Sequence, residues 1–415
     1  MTQPSAHFES KEYNAAIKVI EVLRDHAHIA YLAGGCVRDL LLGEEPKDFD
    51  VATDANPAEI QGYFRKTASV GAAFGVMLVR DFGPTIELAT FRSDGVYSDA
   101  RRPDSIEFSS PNEDAKRRDF TINALFYDPF APGHDRVIDF VGGLDDIHNR
   151  ILRAVGVPED RLAEDHLRAL RAVRFAAKYK LTIGDRTKTA IREHARELSG
   201  VSIERIGEEV RKMLMHPSRV QACEMIDELD LDDAIFGDRK GFDPSVMQGL
   251  GEQASYAEGL AALAIGRGFE IDDDISAICS LYRKTLDLSN GDRDELRWIL
   301  QSLWNFFKCW DRMGEAQQKR LASGPVTAQA LQVLRAMDHA RADVIVDEIE
   351  VLSGRFGGLC PNPFISGADL IEIGLAPGPS FKAILDAVYN EQLEGRVESK
   401  PQARAFVQTQ TTNEL

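Results

Sequence analysis

The chain has 415 residues, 44% hydrophobic and 28% charged, the composition of an ordinary globular protein with room for about two to four domains. No apolar run approaches a membrane span; Met1-Thr-Gln-Pro-Ser lacks the basic and apolar regions of a signal peptide; and five cysteines, scattered with no Cys-x-x-Cys pair, argue against a disulfide framework or zinc site and fit a reducing cytoplasm. The net charge of −18 argues at first sight against nucleic acid, but 151–215 holds fourteen Lys/Arg against ten Asp/Glu and 216–300 eight against eighteen, so an RNA-facing surface belongs in the first half.

In chain order, residues 1–26 read as a polar tail and an amphipathic helix over 12–24. From 28 to 140 short apolar runs suited to strands occur at 30–33, 49–52, 76–79, 85–90 and 137–140, with helical stretches between them. One helix starts after Asn56-Pro57, where Asn caps and Pro takes the first turn. Such alternation predicts an α/β domain with one sheet. Beyond Gly142-Gly143 the pattern is helical, broken at Gly184, His216-Pro217, Gly237, Gly291 and Pro361-Asn-Pro363. Trp298, Trp304 and Trp310, six residues apart, read as helix core rather than a base-stacking platform. The acidic middle reads as a solvated exterior.

Asp48-Phe49-Asp50 follows Gly34-Gly35 by a dozen residues. On a strand of period two both aspartates project from one face. Paired carboxylates repel unless a cation sits between them, and an oxygen-only set suits Mg²⁺, which binds one or two carboxylates plus substrate phosphates. Gly34 and Gly35 open an apparent helix over 37–42, whose N–H groups can cradle phosphate. Each piece alone also reads as an ordinary turn or strand end; together they describe a nucleotide site. Glu87, in Ile86-Glu-Leu-Ala-Thr-Phe-Arg92, supplies a third carboxylate for the metal site or for deprotonating a hydroxyl, or is a strand-edge charge. Arg101-Arg102, in a polar segment over 93–103, reads as a solvated loop or as one near triphosphate or RNA. Lys116-Arg117-Arg118-Asp119 is followed by Asn123; Arg118 suits phosphate, and Asp119 and Asn123 share a helical face from which ribose hydroxyls can be read. Asp165, Arg168, Arg171 and Arg174 recur every third residue as a helical stripe. That stripe is either a salt-bridged solvent face or a base reader, with an acceptor and donors set for a nucleotide's edge. His134-Asp135 reads as loop.

Taken together these stretches resemble the class II tRNA nucleotidyltransferase family, which includes CCA-adding enzymes and bacterial poly(A) polymerases. Gly34-Gly-Cys-Val-Arg38-Asp39 with Asp48-Phe-Asp50 is similar to the family's first motif, Glu87 to its third carboxylate, and Arg117-Arg-Asp119 through Asn123-Ala124 to its ribose motif. Asp139-Phe-Val-Gly-Gly143 resembles the hinge, Glu164-Asp165-x-x-Arg168 the amino-acid template, and Ser202-Ile-Glu204-Arg205 with Glu208 or Glu209 a brace for that template. Ile365-Ser-Gly-Ala-Asp-Leu370 and Gly374-Leu-Ala-Pro-Gly-Pro379 resemble its tail region, while 216–350 carry little that matches. The resemblance implies an α/β nucleotidyltransferase head (mixed sheet with helices) at 1–150, followed by an all-α neck with base recognition at 151–215, a helical body at 216–350 and a tRNA-binding tail at 351–415.

It also implies an enzyme that adds C, C and A to the 3′ end of tRNA from CTP and ATP, with release of pyrophosphate. Asp48, Asp50 and Glu87 are the expected catalytic residues. The resemblance implies that Asp48 and Asp50 hold Mg²⁺, in a two-metal site. Gly34, Gly35, Arg38, Arg118, Asp119, Asn123, Asp165, Arg168, Arg171 and Arg174 are the expected nucleotide-binding residues. Phe74-Gly-Val-Met-Leu-Val79 resembles the CCA-adding pattern. Poly(A) polymerase, CC-only and A-only activities share most of these motifs, and a catalytically silent RNA-binding module is an alternative of another class. No membrane or protein partner is implied, and the expected location is cytoplasmic.

Overall fold

The computed structural model describes residues 10–71, 75–95, 105–238, 240–355 and 357–413. The chain forms two compact units, one of Met1–Met213 with Glu224–Arg239, the other of Leu214–Cys223 with Lys240–Leu415.

The first unit opens with α1 (Lys11–Asp25), capped by the Ser10 side chain on the Tyr13 N–H. Its Ala15, Ala16, Val19, Ile20 and Leu23 are buried, an apolar stripe of helical period that lies against the sheet. Then come β1 (Ala30–Ala33), α2 (Gly35–Leu42), β2 (Asp50–Thr53), α3 (Pro57–Tyr63), β3 (Thr67–Gly71), β4 (Val76–Val79) and β5 (Ile86–Thr90). A side hairpin of β6 (Arg92–Asp94) and β7 (Ile106–Phe108), α4 (Pro111–Lys116), β8 (Phe126–Tyr127), β9 (Val137–Ile138) and α5 (Gly143–His148) follow. Seven strands make one mixed sheet in the order β3-β4-β5-β2-β1-β8-β9. Every pairing in it is antiparallel except β2 with β5. Its core includes Ala33, Ala52, Phe91, Ala124 and Phe126, with Phe91 and Phe126 edge to face at 5.6 Å.

The helix after Asn56-Pro57 carries the expected cap, completed by Glu59 as a capping box. The sequence reading missed β3, β6, β7 and β8, which are short or interrupted. It also placed no strand beyond 142, where β10 (Ile151–Leu152) pairs in parallel with β11 (Thr182–Ile183). Between those two strands run α6 (Pro158–Glu164) and α7 (Arg168–Tyr179); α8 (Asp185–Glu193) and α9 (Ile203–Leu214) come after.

The described part of the second unit is helical. Helices Tyr256–Gly266, Asn290–Trp304, Thr327–Met337 and His339–Ser353 pack together. Helices Gly367–Glu372, Ser380–Leu393 and Lys400–Asn413 enclose a separate cluster of Ile365, Leu370, Val388, Val397, Ala403 and Val407. Gly291 lies inside a helix whose cap is Ser289, not at a break. Trp310 is fully buried but Trp298 is exposed: at 100° per residue a six-residue step turns a side chain through about 240°, so the tryptophans cannot share one core face. None of the five cysteines is paired. Among the described residues no helix is long and apolar enough to cross a membrane.

Candidate active site

Asp50 is the first residue of β2 and faces Ala33, the last of β1. The chain leaves β1 through Gly34, whose φ of 72° and ψ of −122° favour glycine. A Cβ there would sit 2.8 Å from the Arg118 Nη1 atom. The turn therefore delivers α2 beside the carboxyl end of β1. The parallel pairing of Val51 with Leu88 brings Asp50 level with Glu87 on the neighbouring strand. Asp48 precedes the strand instead of lying on it. Phe49 between the two aspartates is buried, so the chain is extended enough to keep Asp48 and Asp50 on the cavity side.

Asp50 is pushed up to about 7, first by burial and then by the charges of Glu87 and Asp48, with Arg118 opposing. Glu87, although reached by solvent, is also raised, by loss of hydration and then by Asp48. Cys36, in the first turn of α2, is buried, and its thiol is raised to about 12 by burial and by Asp50.

Basic residues line the same cavity. Arg117 and Arg118 follow α4, and both bind Asp114, at 2.7 and 3.0 Å. Asp114 is 2% exposed; burial alone would push its carboxyl above the ordinary range, but the two guanidinium groups hold it below the ordinary carboxylate range. Arg118 also donates to the Asn123 carbonyl at 3.0 Å and lies over Phe126.

Asp119 and Asn123 meet, but through a single turn over Thr121–Asn123 rather than along a helix. Asp119 accepts from the Phe120 N–H, from Asn123 Nδ2 at 3.0 Å, and from Arg171 Nε and Nη2 at 2.9 and 2.7 Å. Burial disfavours its charge, yet Arg171 and Asn123 bring it down to about 2. Arg38 is 6% exposed. Its Nε and Nη2 donate to Asp39, Nη1 to Asn123 and Nη2 also to Tyr179. In this geometry Asp119, the expected ribose reader, and Arg38, an expected nucleotide-binding residue, are both engaged within the protein and share Asn123 as a partner.

The expected helical stripe is broken at its first member. Asp165 closes α6 in extended conformation, at φ −157°, and α7 begins only at Arg168. Asp165 accepts from the Leu167 N–H and pairs with Arg205 at 2.8 Å. Arg168 bonds Glu164 and the Arg161 carbonyl, both at 2.6 Å. Arg174 pairs at 2.6 Å with Glu209, not Glu208, which takes Lys212. The Ser202–Glu209 stretch thus braces both Asp165 and α7.

All thirteen of the site residues expected from sequence line one cavity of about 650 Å³ in the first unit. Arg92, Arg117 and Phe175 line it too and were not among the expected residues. Phe175 is the centre of a cationic cluster: the guanidinium carbons of Arg174, Arg38 and Arg171 lie 4.2, 4.9 and 5.3 Å from its ring. Phe directly after Arg174 was the available signal. Arg101 and Arg102, and Phe74, lie outside the described residues, as do the side chains of His134 and Asp135.

The donor set fits a hard divalent cation of incomplete coordination. The seven cavity arginines all have carboxylate partners: Arg38, Arg92, Arg117, Arg118, Arg168, Arg171 and Arg174 pair with Asp39, Asp94, Asp114 (twice), Glu164, Asp119 and Glu209. Asp48, Asp50 and Glu87 have no ion-pair partner among the described residues. No group of three or more His, Cys, Asp or Glu among the described residues closes into a ready metal cage. An oxygen-only set of crowded carboxylates suits Mg²⁺, which binds one or two carboxylates together with water and substrate phosphates.

The Poly A polymerase head domain model matches residues 30–153, and that for the probable RNA and SrmB-binding site of polymerase A matches 180–240. The chain is 32% identical over 399 residues to the CCA-adding enzyme of Geobacillus stearothermophilus, 94% of each chain. It is 44% identical over 209 residues to that of Lactiplantibacillus plantarum, a match that spans 50% of each. The crystal structure of the Bacillus stearothermophilus CCA-adding enzyme in complex with CTP superimposes with a TM-score of 0.79 at 28% identity, over 100% of this chain and 99% of that one.

Proposed function

The chain belongs to the class II tRNA nucleotidyltransferase and bacterial poly(A) polymerase family, and from that premise we propose that it adds C, C and A to the 3′ end of tRNA, using CTP and ATP and releasing pyrophosphate. The observation that carries the reading is the meeting of Asp48, Asp50 and Glu87, unpaired, with paired arginines in one cavity. A binding module gains nothing from three crowded carboxylates, whose mutual repulsion costs stability.

Asp48 and Asp50 would hold Mg²⁺. When bound, Mg²⁺ supplies charge neutralisation for a triphosphate and acidifies a coordinated hydroxyl. The reaction joins the RNA 3′-oxygen to the α-phosphorus and breaks the bond to the bridging oxygen, so that pyrophosphate departs and the hydroxyl proton is lost. Glu87, level with Asp50, stands where it can take that proton. The N–H groups at Gly34 and Gly35 cradle phosphate oxygens, and Arg118 faces the accumulating charge. Asp119 and Asn123 serve the ribose side. Arg38 holds Asn123, and Asp165 with Arg168, Arg171 and Arg174 reads the base. Most of the rate comes from placement and charge neutralisation.

In this reading 1–150 act as the catalytic head, 151–215 as the base-reading neck, 216–350 as body and 351–415 as tRNA-binding tail. The protein works in the cytoplasm. A poly(A) polymerase is the nearest rival, favoured by the head-domain match. Incubation with Mg²⁺ and labelled CTP or ATP, on tRNA lacking the whole CCA end, lacking the terminal A, or complete, separates them. Addition that halts at a complete end supports the proposal. Long A tails on varied RNAs, or no addition at all, overturn it.

A further inference from the structure

One buried polar network ties α7 to the head at two points. Near its start, Arg171 binds Asp119. Near its end, the Tyr179 hydroxyl accepts from Arg38 Nη2 at 2.6 Å and donates to Asp39 Oδ1 at 2.8 Å, both on α2, and also accepts from Lys178 Nζ at 2.7 Å. Arg38 continues to Asn123 at 2.6 Å, and Asn123 to Asp119 at 3.0 Å, so the path closes on itself. The two tethers are eight residues apart, about 12 Å along a helix, enough to fix its tilt as well as its position.

Tyr179 is 4% exposed, and its ring stacks on Phe175 at 6.2 Å and 25° and under the Arg38 guanidinium at 4.5 Å. A phenylalanine would fill that space without burying a hydroxyl among charges, which is costly unless every group is bonded. The oxygen therefore orients rather than fills. We propose that Tyr179 is a positioning residue for nucleotide selection: its hydroxyl, shared by Arg38 and Asp39, fixes the tilt of α7 and so the placement of Arg168 and Arg171 relative to the Gly34-Gly35 turn. The inference rests on the function proposed above.

Tyr179→Phe keeps the ring and removes the tether. The test compares kcat/KM for CTP against UTP on tRNA lacking CCA, and for ATP against GTP on tRNA lacking the terminal A, together with Tm and inhibition by pyrophosphate. Loss of a charge-assisted hydrogen bond predicts that discrimination falls by about tenfold, while inhibition by pyrophosphate changes by less than about twofold. Lys178→Met, which withdraws one donor from the same oxygen, moves the ratios the same way by about threefold; it reports on the tether even if the phenylalanine variant does not fold. A purely structural tyrosine lowers Tm and leaves the ratios intact, and that result overturns the inference alone. A parent protein that transfers nothing overturns the functional reading and this inference with it.

Discussion

Replacing Asp50 by Asn should stabilise the protein while removing its activity. The folded carboxyl titrates at about 7 against 3.8 for the free group, through burial first and then Glu87 and Asp48. A raised carboxylate value means that the folded chain binds the proton more tightly than the unfolded one. The stability it contributes is fully present below about pH 4 and is lost as pH rises to about 7, levelling off above. Each pH unit within that window costs 1.36 kcal/mol, so the full shift is worth about 4 kcal/mol as an upper bound, and relaxation of a partly solvated cleft reduces it to about 2–4 kcal/mol. Asparagine never ionises and escapes the penalty. Denaturant unfolding of parent and Asp50→Asn in EDTA at about pH 5.5 and pH 8.5 measures the gap directly. It should widen by about 2 kcal/mol between the two values, and Mg²⁺ at the higher pH should raise the Tm of the parent more than that of the variant. A gap that stays constant with pH, or a variant less stable than the parent at the higher value, refutes the reasoning, because the carboxylates would then not be crowded.

Gly34→Ala puts a Cβ 2.8 Å from Arg118 Nη1 at a φ of 72°, a strain of about 1–3 kcal/mol; KM for CTP should rise by about tenfold, whereas Gly35→Ala, whose nearest neighbour is Arg38 Nη2 at 3.6 Å, should change it much less in the same steady-state assay. Asp114→Asn leaves Arg117 and Arg118 without the charge they share, which should cost about 2–3 kcal/mol in denaturant unfolding and lower kcat/KM for CTP; equal midpoints would mean that the pair is not held by Asp114. Asp165→Ala should raise UTP and GTP incorporation more than it weakens inhibition by pyrophosphate, and Arg205→Met, which frees Asp165 from its 2.8 Å partner, should show a smaller change of the same kind.

Period and punctuation sufficed for the head's central strands. The apolar runs at 30–33 and 76–79 coincide with β1 and β4 because each is bounded by residues that turn or charge the chain. The same tools could not see that β2 and β5 lie side by side in parallel. That pairing, not the Asp-x-Asp spacing, makes Glu87 the neighbour of Asp50, and it depends on contacts between residues far apart in sequence. β8 is two residues long, too short for alternation to register. The three-residue repeat through Asp165 and the arginines also misled locally. A single extended residue at Asp165 breaks the helix without disturbing the spacing, so Asp165 is held by Arg205 from α9 rather than by its own helix. Site composition was legible because phosphate chemistry demands particular side chains; which atom bonds which was not, because arginine has several donors and burial decides among them.

The pairing pattern bears on how substrate enters. Cavity arginines that already hold carboxylates offer a triphosphate only part of their charge, and Arg38 and Arg171 are held by several hydrogen bonds each. Asp48, Asp50 and Glu87 repel the same triphosphate, and burial, followed by the charges of Glu87 and Asp48, already raises the Asp50 carboxyl to about 7. A nucleotide arriving as a bare polyanion would raise the acid cluster's energy further. On the proposed function, Asp48 and Asp50 would hold a divalent cation arriving with the nucleotide, and its charge would offset the repulsion among Asp48, Asp50 and Glu87. On that proposal binding of cation and nucleotide would be coupled, and by linkage the coupling would be equal in both directions. The arginines, held in place by their acids, would set the orientation of sugar and base, and the carboxylate end would govern whether the phosphates bind.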